Sequence, residues 1–262
     1  MFHDYLDKLV APVSGQVPVS APASGDYSSL ANPALSMMYK NNVWGCCVPA
    51  WLMHQMGIWT GNSGLVTGGE LYSDSQLAQF YKQCSGGNFD PSNPTATDNG
   101  CDEMTAIQSC ISTGWPDNGQ GSQKATGVMA VDGTNWEHVK LAMWLFEGVT
   151  NGLEVPDGII QNMPSTNGFI WDVLSGQAGQ PDPNNGHCTG LFSWDDSGAG
   201  LSTWGMKGRA TRDFVGTYMV PGAGGELYAI LSDQVIARAQ VKAPNGFDFV
   251  TLQDDLQALQ AA

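Results

Sequence analysis

Basic residues are what this chain has least of: ten Lys and Arg stand against 25 Asp and Glu, a formal charge of −15 at pH 7. A surface of that sign repels phosphate backbones and anionic headgroups, which sets nucleic acid and membrane surfaces aside as partners. Long apolar runs are missing too, and nothing approaches the roughly 18 residues that span a bilayer. The opening Met1-Phe2-His3-Asp4-Tyr5-Leu6-Asp7-Lys8 has neither the basic n-region nor the apolar h-region of a signal peptide. Cytoplasmic synthesis is therefore expected, and with it six cysteines held as thiols rather than disulfides. Metal-ligand spacing is absent as well. Cys46 and Cys47 are adjacent, and no Cys-x-x-Cys or His-x-x-x-His pattern occurs. No metal and no cofactor are expected.

What the chain has in quantity is the material of a packed, loop-rich globule. Hydrophobic residues make up 42%, with nine Trp, nine Phe and seven Tyr, which excludes a disordered chain. Thirty-three Gly and 14 Pro predict many turns and long loops. At 262 residues there is enough chain for one large domain or two lobes sharing a core.

The segments change character in order. Residues 1–10 place Phe2, Tyr5, Leu6 and Leu9 at helical spacing, and residues 11–34, rich in Pro, Val, Ala, Ser and Gly, read as extended. Residues 1–34 are therefore assigned to an N-terminal arm. Residues 35–125 read as a helical lobe. It holds a helix from about Cys47 to Ile58, a second over 75–83 capped by Ser73 or Asp74, a long loop over 84–100 and a third helix over 101–113. Gly57, Gly61 and Gly64 read as the breakers of the first. Residues 126–240 read as β-rich, with strands at 128–131, 153–155, 187–194, 201–204 and 226–231. One helix over 136–146, capped by Thr134 or Asn135, interrupts them. A short helix at 235–239 precedes a C-terminal helical tail, 241–262, which holds another at 247–259. Helices first and strands second is an α+β pattern.

The stretch that organises the rest is Trp44-Gly45-Cys46-Cys47-Val48-Pro49-Ala50-Trp51. Proline is tolerated only in the first helical turn, so Pro49 sets the helix start at Cys47 or Val48. A thiol there sits among unpaired N–H groups at the positive end of the macrodipole, which favours its anion. The helix that follows is apolar nearly all round and is expected to be buried, with His54 a satisfied core histidine. Cys46 is read three ways: the nucleophile if the loop slips by one, a core thiol, or a partner of Cys101 under oxidising conditions. Cys188, beside His187, faces the other side of its strand. His3 and His138 are read as surface or packing residues.

The order of these blocks resembles the papain-like cysteine peptidases. Gly45-Cys46-Cys47 stands where that family has Gly-x-Cys, and Cys47 precedes His187 by 140 residues (187 − 47). A helix ending in Cys84, Asn99-Gly100-Cys101 before the next helix, Gly186-His187 opening a strand, Ser202-Thr203-Trp204-Gly205 and Glu226–Leu231 are similar to further blocks. The resemblance spans about residues 36–231. It implies a two-lobed papain-like domain over 35–262, with a helical lobe carrying the Cys-bearing buried helix and a β-rich lobe carrying the His. Cys47 would be the nucleophile, His187 its acid–base partner, Asn41 the oxyanion donor six residues before the thiol, and Ser202 the residue orienting the imidazole. The family has Gln at the position of Asn41 and Asn at that of Ser202, and Val48-Pro49 replaces its aromatic after the nucleophile. The activity implied is cleavage of peptide or amide bonds, with a peptide or protein as substrate. The chain also resembles phage- and bacterium-encoded proteins with Gly-Cys-Cys, Asn-Gly-His-Cys and Thr-Trp-Gly blocks. That likeness implies an alternative: a catalytically silent papain-like structural protein of a phage virion, partnered by other virion proteins. The short side chains at 41 and 202, and the lack of an inhibitory pro-region before Cys47, speak for it.

Overall fold

The structure, a computed structural model, describes residues 20–119, 121 and 123–232. The helices expected at 1–10, 235–239 and 247–259 and the first part of the arm lie outside these residues. Eight strands and eight α-helices run through the described chain. In order they are β1 Gly25–Asp26, α1 Asn32–Leu35, α2 Cys47–Asn62, α3 Asp74–Cys84, α4 Pro94–Thr97, α5 Glu103–Ser112, β2 Ala125–Ala130, α6 Trp136–Phe146, β3 Val149–Glu154, α7 Asp157–Ile160, β4 Ile170–Trp171, β5 Gly186–Asp195, β6 Gly198–Thr203, β7 Met206–Thr211, α8 Arg212–Tyr218 and β8 Glu226–Ser232. They divide into two compact units, one of residues 30–34, 38–128 and 230–232, the other of residues 20–29, 35–37 and 129–229.

The first unit is built around α2. Every residue from Val48 to Gly61 is buried, as expected of a helix with no polar face. The helix runs four residues beyond the expected end because Gly57 and Gly61 serve packing rather than breaking. A methyl group on Gly57 would strike the Ala34 side chain, and one on Gly61 the Leu30 carbonyl. Trp115 closes the other side, its indole N–H donating to the Leu52 carbonyl at 2.8 Å and its ring meeting Trp59 edge-on. His54 is indeed a core residue, with Nδ1 2.9 Å from the Ala34 carbonyl. Helix α3 starts at a full capping box, Ser73 with Gln76. Helix α5 begins two residues after Cys101, where the Asp102 side chain accepts from the Thr105 N–H.

The second unit is built on a mostly antiparallel sheet in the order β8-β3-β5-β6-β7-β4, with β1 on β5. Strand β5 is central, and all of Cys188–Phe192 is buried on both faces. It pairs with β3 along 186–191, then with β6 along 190–195 through an irregularity between Leu191 and Ser193. Gly25 and Asp26, expected within an extended arm, are extended and pair with Trp194 and Ser193. The Trp194 indole donates to the Pro22 carbonyl at 2.9 Å. Strand β7 and helix α8 were not anticipated. Gly208 lies beneath the Phe169 ring, so the glycine that weakens the strand signature is there to let an aromatic ring approach.

Candidate functional site

Of the sequence-predicted residues, Cys47 and Asn41 belong to the helical unit, and His187 and Ser202 to the sheet unit. The approach to Cys47 is a tight series of turns. Tyr39 and Lys40 have φ of 47° and 56°. Asn41 donates its N–H to Met38 O, and Val43 and Trp44 donate theirs to Lys40 O. Lys40 is paired with Asp74 at 2.9 Å. Cys47 is then the first residue of α2, and no side chain caps that helix. Pro49, in the first turn, removes a donor there, as the sequence required.

The structure separates the two adjacent thiols. Cys46 is fully buried and its Sγ donates to the Tyr39 carbonyl at 3.3 Å. Burial, reinforced by neighbouring negative charge, pushes its thiol well above the ordinary range. Cys47 is partly exposed. Cys46 is therefore a core thiol. Cys101, raised as its possible disulfide partner, is likewise an unbridged thiol, driven upward chiefly by burial. A carboxylate also ties the loop. Asp98 receives the Gly45 N–H on both oxygens at 2.9 and 3.0 Å and the Tyr81 hydroxyl at 2.7 Å.

In the sheet unit His187 is the second residue of β5, opposite Leu153 of β3. Its ring lies nearly parallel to Trp204, with centroids 4.5 Å apart at 16°. Its Nε2 is 2.7 Å from Thr203 Oγ1. The expected orienting residue, Ser202, points elsewhere. Its hydroxyl is buried and donates to the Leu35 carbonyl at 3.3 Å. The physical reason is strand alternation: adjacent residues of β6 face opposite sides of the sheet, so only one of Ser202 and Thr203 can meet the imidazole. Thr203 was the neighbour of the expected residue, and the one-residue offset is invisible without the register.

The β6–β7 hairpin explains how Trp204 reaches that position. Thr203 and Met206 close the ladder, leaving the two-residue loop Trp204-Gly205 with φ of 49° and 69°. Positive φ at both central residues marks a type I′ turn, which suits Asn or Gly far better than Trp. Gly205 is needed for space as well, since a side chain there would press on the Ser36 carbonyl at 2.9 Å. A bulky residue held in the left-handed region costs on the order of 1–2 kcal/mol, and the stacked imidazole is what that conformation achieves. Burial lowers the His187 pKa to about 4. No group of three or more His, Cys, Asp or Glu side chains suited to a metal ion occurs among the described residues.

No family model matches the chain, and no curated protein matches it in sequence. Solved structures do. Digestive procathepsin L 3 of the Tenebrio molitor larval midgut superposes with a TM-score of 0.55 at 13% identity, over 87% of this chain and 78% of its own. Xylellain, a cysteine protease from Xylella fastidiosa, gives 0.52 at 11% identity, over 81% and 87%. The Carica candamarcensis cysteine protease CMS1MS2, solved in complex with E-64, gives 0.50 at 15% identity, over 80% and 98%. Identities this low carry the fold and not the activity. A buried helix opening on a cysteine, a sheet presenting a histidine against a Trp-Gly hairpin, and these likenesses together show that the chain has the papain-like α+β fold.

Proposed function

We propose that this chain is a thiol hydrolase of peptide or other amide bonds, with Cys47 as nucleophile and His187 as acid–base partner. The observation that carries the reading is the unequal fate of the paired cysteines: Cys46 is sequestered in the core, while Cys47 is partly exposed at the first position of an uncapped helix. A helix N-terminus favours the thiolate. The held imidazole of His187 supports the same reading.

The chemistry follows from those groups. Burial keeps the imidazole neutral at pH 7, so it can accept the Cys47 proton. The charge of the resulting thiolate then favours the imidazolium against its desolvation, and the two sites titrate as a pair. The thiolate sulfur attacks the amide carbon. The oxygen that becomes anionic is proposed to take hydrogen bonds from the Cys47 N–H and the Asn41 side chain. The C–N bond then breaks, the leaving amine takes the imidazolium proton, and a thioester remains on Cys47. Water, giving a proton to His187, attacks that thioester, releasing the carboxylic acid and the thiol. Thr203, with one hydroxyl that both donates and accepts, is proposed to hold Nε2 while Trp204 covers the ring.

The epoxide E-64 tests the dyad directly, because a thiolate opens it to a stable thioether. Intact-mass measurement and peptide mapping should show one adduct per chain, on Cys47. The adduct should be abolished in Cys47→Ala and slowed at least tenfold in His187→Ala. A peptide library incubated with the protein should yield fragments that Cys47→Ala does not produce. Labelling at the rate of an ordinary thiol, indifferent to His187, would overturn the reading and leave a catalytically silent scaffold.

A further inference from the structure

Asp98 and Tyr81 are absorbed by nothing in that chemistry, yet they hold the backbone from which Cys47 springs. The Gly45 N–H, two residues before the thiol, is shared between both Asp98 oxygens at 2.9 and 3.0 Å. The Tyr81 hydroxyl donates to Asp98 Oδ1 at 2.7 Å and accepts the Gly100 N–H at 2.9 Å. The Tyr81 ring stacks on Phe89 with centroids 4.1 Å apart, and Trp44 packs on Phe89 from the neighbouring segment at 5.1 Å. Gly45 is matched to this arrangement, since a Cβ there would stand 3.1 Å from Asp98 Oδ1 and 3.4 Å from the Gly100 N. Two loops, 44–47 and 98–100, are thus tied by one carboxylate, one phenol and a three-ring stack.

We propose that Asp98, set in place by Tyr81, is the positioning residue of the nucleophile loop, fixing the Gly45 peptide and with it the entry of Cys47 into α2. A carboxylate is a costly choice for that task. A second anion near a thiolate disfavours it, and nearby Cys46, Cys101 and Tyr81 are neutral groups that offset nothing, while Asp102 adds a further negative charge. The return is strength: a charged acceptor holds an N–H more tightly than a neutral one. The inference rests on Cys47 being the nucleophile, and it makes opposite predictions for two variants. Asp98→Asn keeps an acceptor but removes the charge. Asp98→Ala removes both.

The experiment is iodoacetamide alkylation of Cys47 across pH 5–10, with amide hydrogen exchange over residues 44–48, in wild type, Asp98→Asn, Asp98→Ala and Tyr81→Phe. Asp98→Asn should move the Cys47 alkylation midpoint down by a few tenths of a pH unit, the scale of one solvent-screened charge. Asp98→Ala should lower alkylation across the whole range and speed exchange over 44–48 at least tenfold, with Tyr81→Phe intermediate. Profiles and exchange that superimpose on wild type in all three variants would overturn the proposal. If wild-type Cys47 reacts as an ordinary thiol regardless of His187, the hydrolase reading falls. Exchange then decides the clamp alone, faster exchange in Asp98→Ala sustaining it and unchanged exchange refuting it.

Discussion

Replacing Thr203 by Val is the sharpest probe of how His187 is held. The side chain is almost isosteric and buried, so the change deletes the oxygen that lies 2.7 Å from Nε2 and little else. In the resting protein the imidazole is neutral, because burial holds its pKa near 4, and the lost bond is worth about 0.5–1.5 kcal/mol. In the proposed reaction the ring becomes a cation once Cys47 gives up its proton, and the bond would then be charge-assisted, worth about 1.5–3 kcal/mol. Only the difference between the two states, about 1–1.5 kcal/mol, slows the reaction, so Thr203→Val should slow the His187-dependent reaction by roughly 5- to 13-fold, at 1.36 kcal/mol per decade. Thr203→Ser keeps the hydroxyl and should stay within about threefold of wild type. The assay is the rate of Cys47 carbamidomethylation at fixed pH points, read by mass spectrometry. At pH 6–7, where the imidazole must assist, the Val variant should fall by the stated factor. Above pH 9, where the thiol ionises without help, the rates should converge. Equal rates at pH 6–7 would refute the role given to Thr203. A loss persisting undiminished at pH 9.5 would point to a damaged loop instead.

Further predictions come from the same structure. His54 is buried with its pKa lowered to about 4, so the unfolded chain binds a proton that the native one refuses between pH 6.5 and 4. The stability due to His54 is full above pH 6.5 and falls by up to about 3 kcal/mol as pH drops to 4, and His187, lowered to the same value, adds a like loss. His54→Asn, which keeps a donor for the Ala34 carbonyl, should therefore roughly halve the slope in urea titrations taken at several pH values. Gly61→Ala gains helix propensity of about 1 kcal/mol but drives a methyl into the Leu30 carbonyl. A net loss of about 1–3 kcal/mol is expected by denaturant unfolding. Trp204→Gly relieves the left-handed backbone and should leave the melting temperature within about 3 °C of wild type, while E-64 labelling slows at least fivefold. Cys46→Ala should keep full Cys47 reactivity, since the Cys46 thiol is committed to the Tyr39 carbonyl.

Some of this protein could be read from local rules, and some could not. Pro49 placed the start of α2 at Cys47 or Val48, and the helix begins at Cys47, because a residue without an N–H fits only the first turn. Ser73 and Asn135, each one of two caps the sequence offered, marked helix starts because short polar side chains accept the first free N–H groups. The burial of α2 and the strand beginning beside His187 were legible for the same kind of reason, since composition and spacing act over a few residues, whereas the papain-like order of parts was legible only through its resemblance to a known family. The glycines of α2 misled, because a glycine that admits a close neighbour and one that ends a helix are spelled alike. Only tertiary structure decided which of Cys46 and Cys47 is partly exposed and which of Ser202 and Thr203 meets the imidazole. Cys46 or Cys47 depended on where the turns at Tyr39 and Lys40 deliver the chain, and Ser202 or Thr203 on the register of β6 against its neighbours. A one-residue shift reverses every side chain of a strand, and nothing in the local sequence records that shift. Asp98 and Tyr81 were beyond sequence altogether, since a bond between residues 45 and 98 exists only once the chain has brought them together.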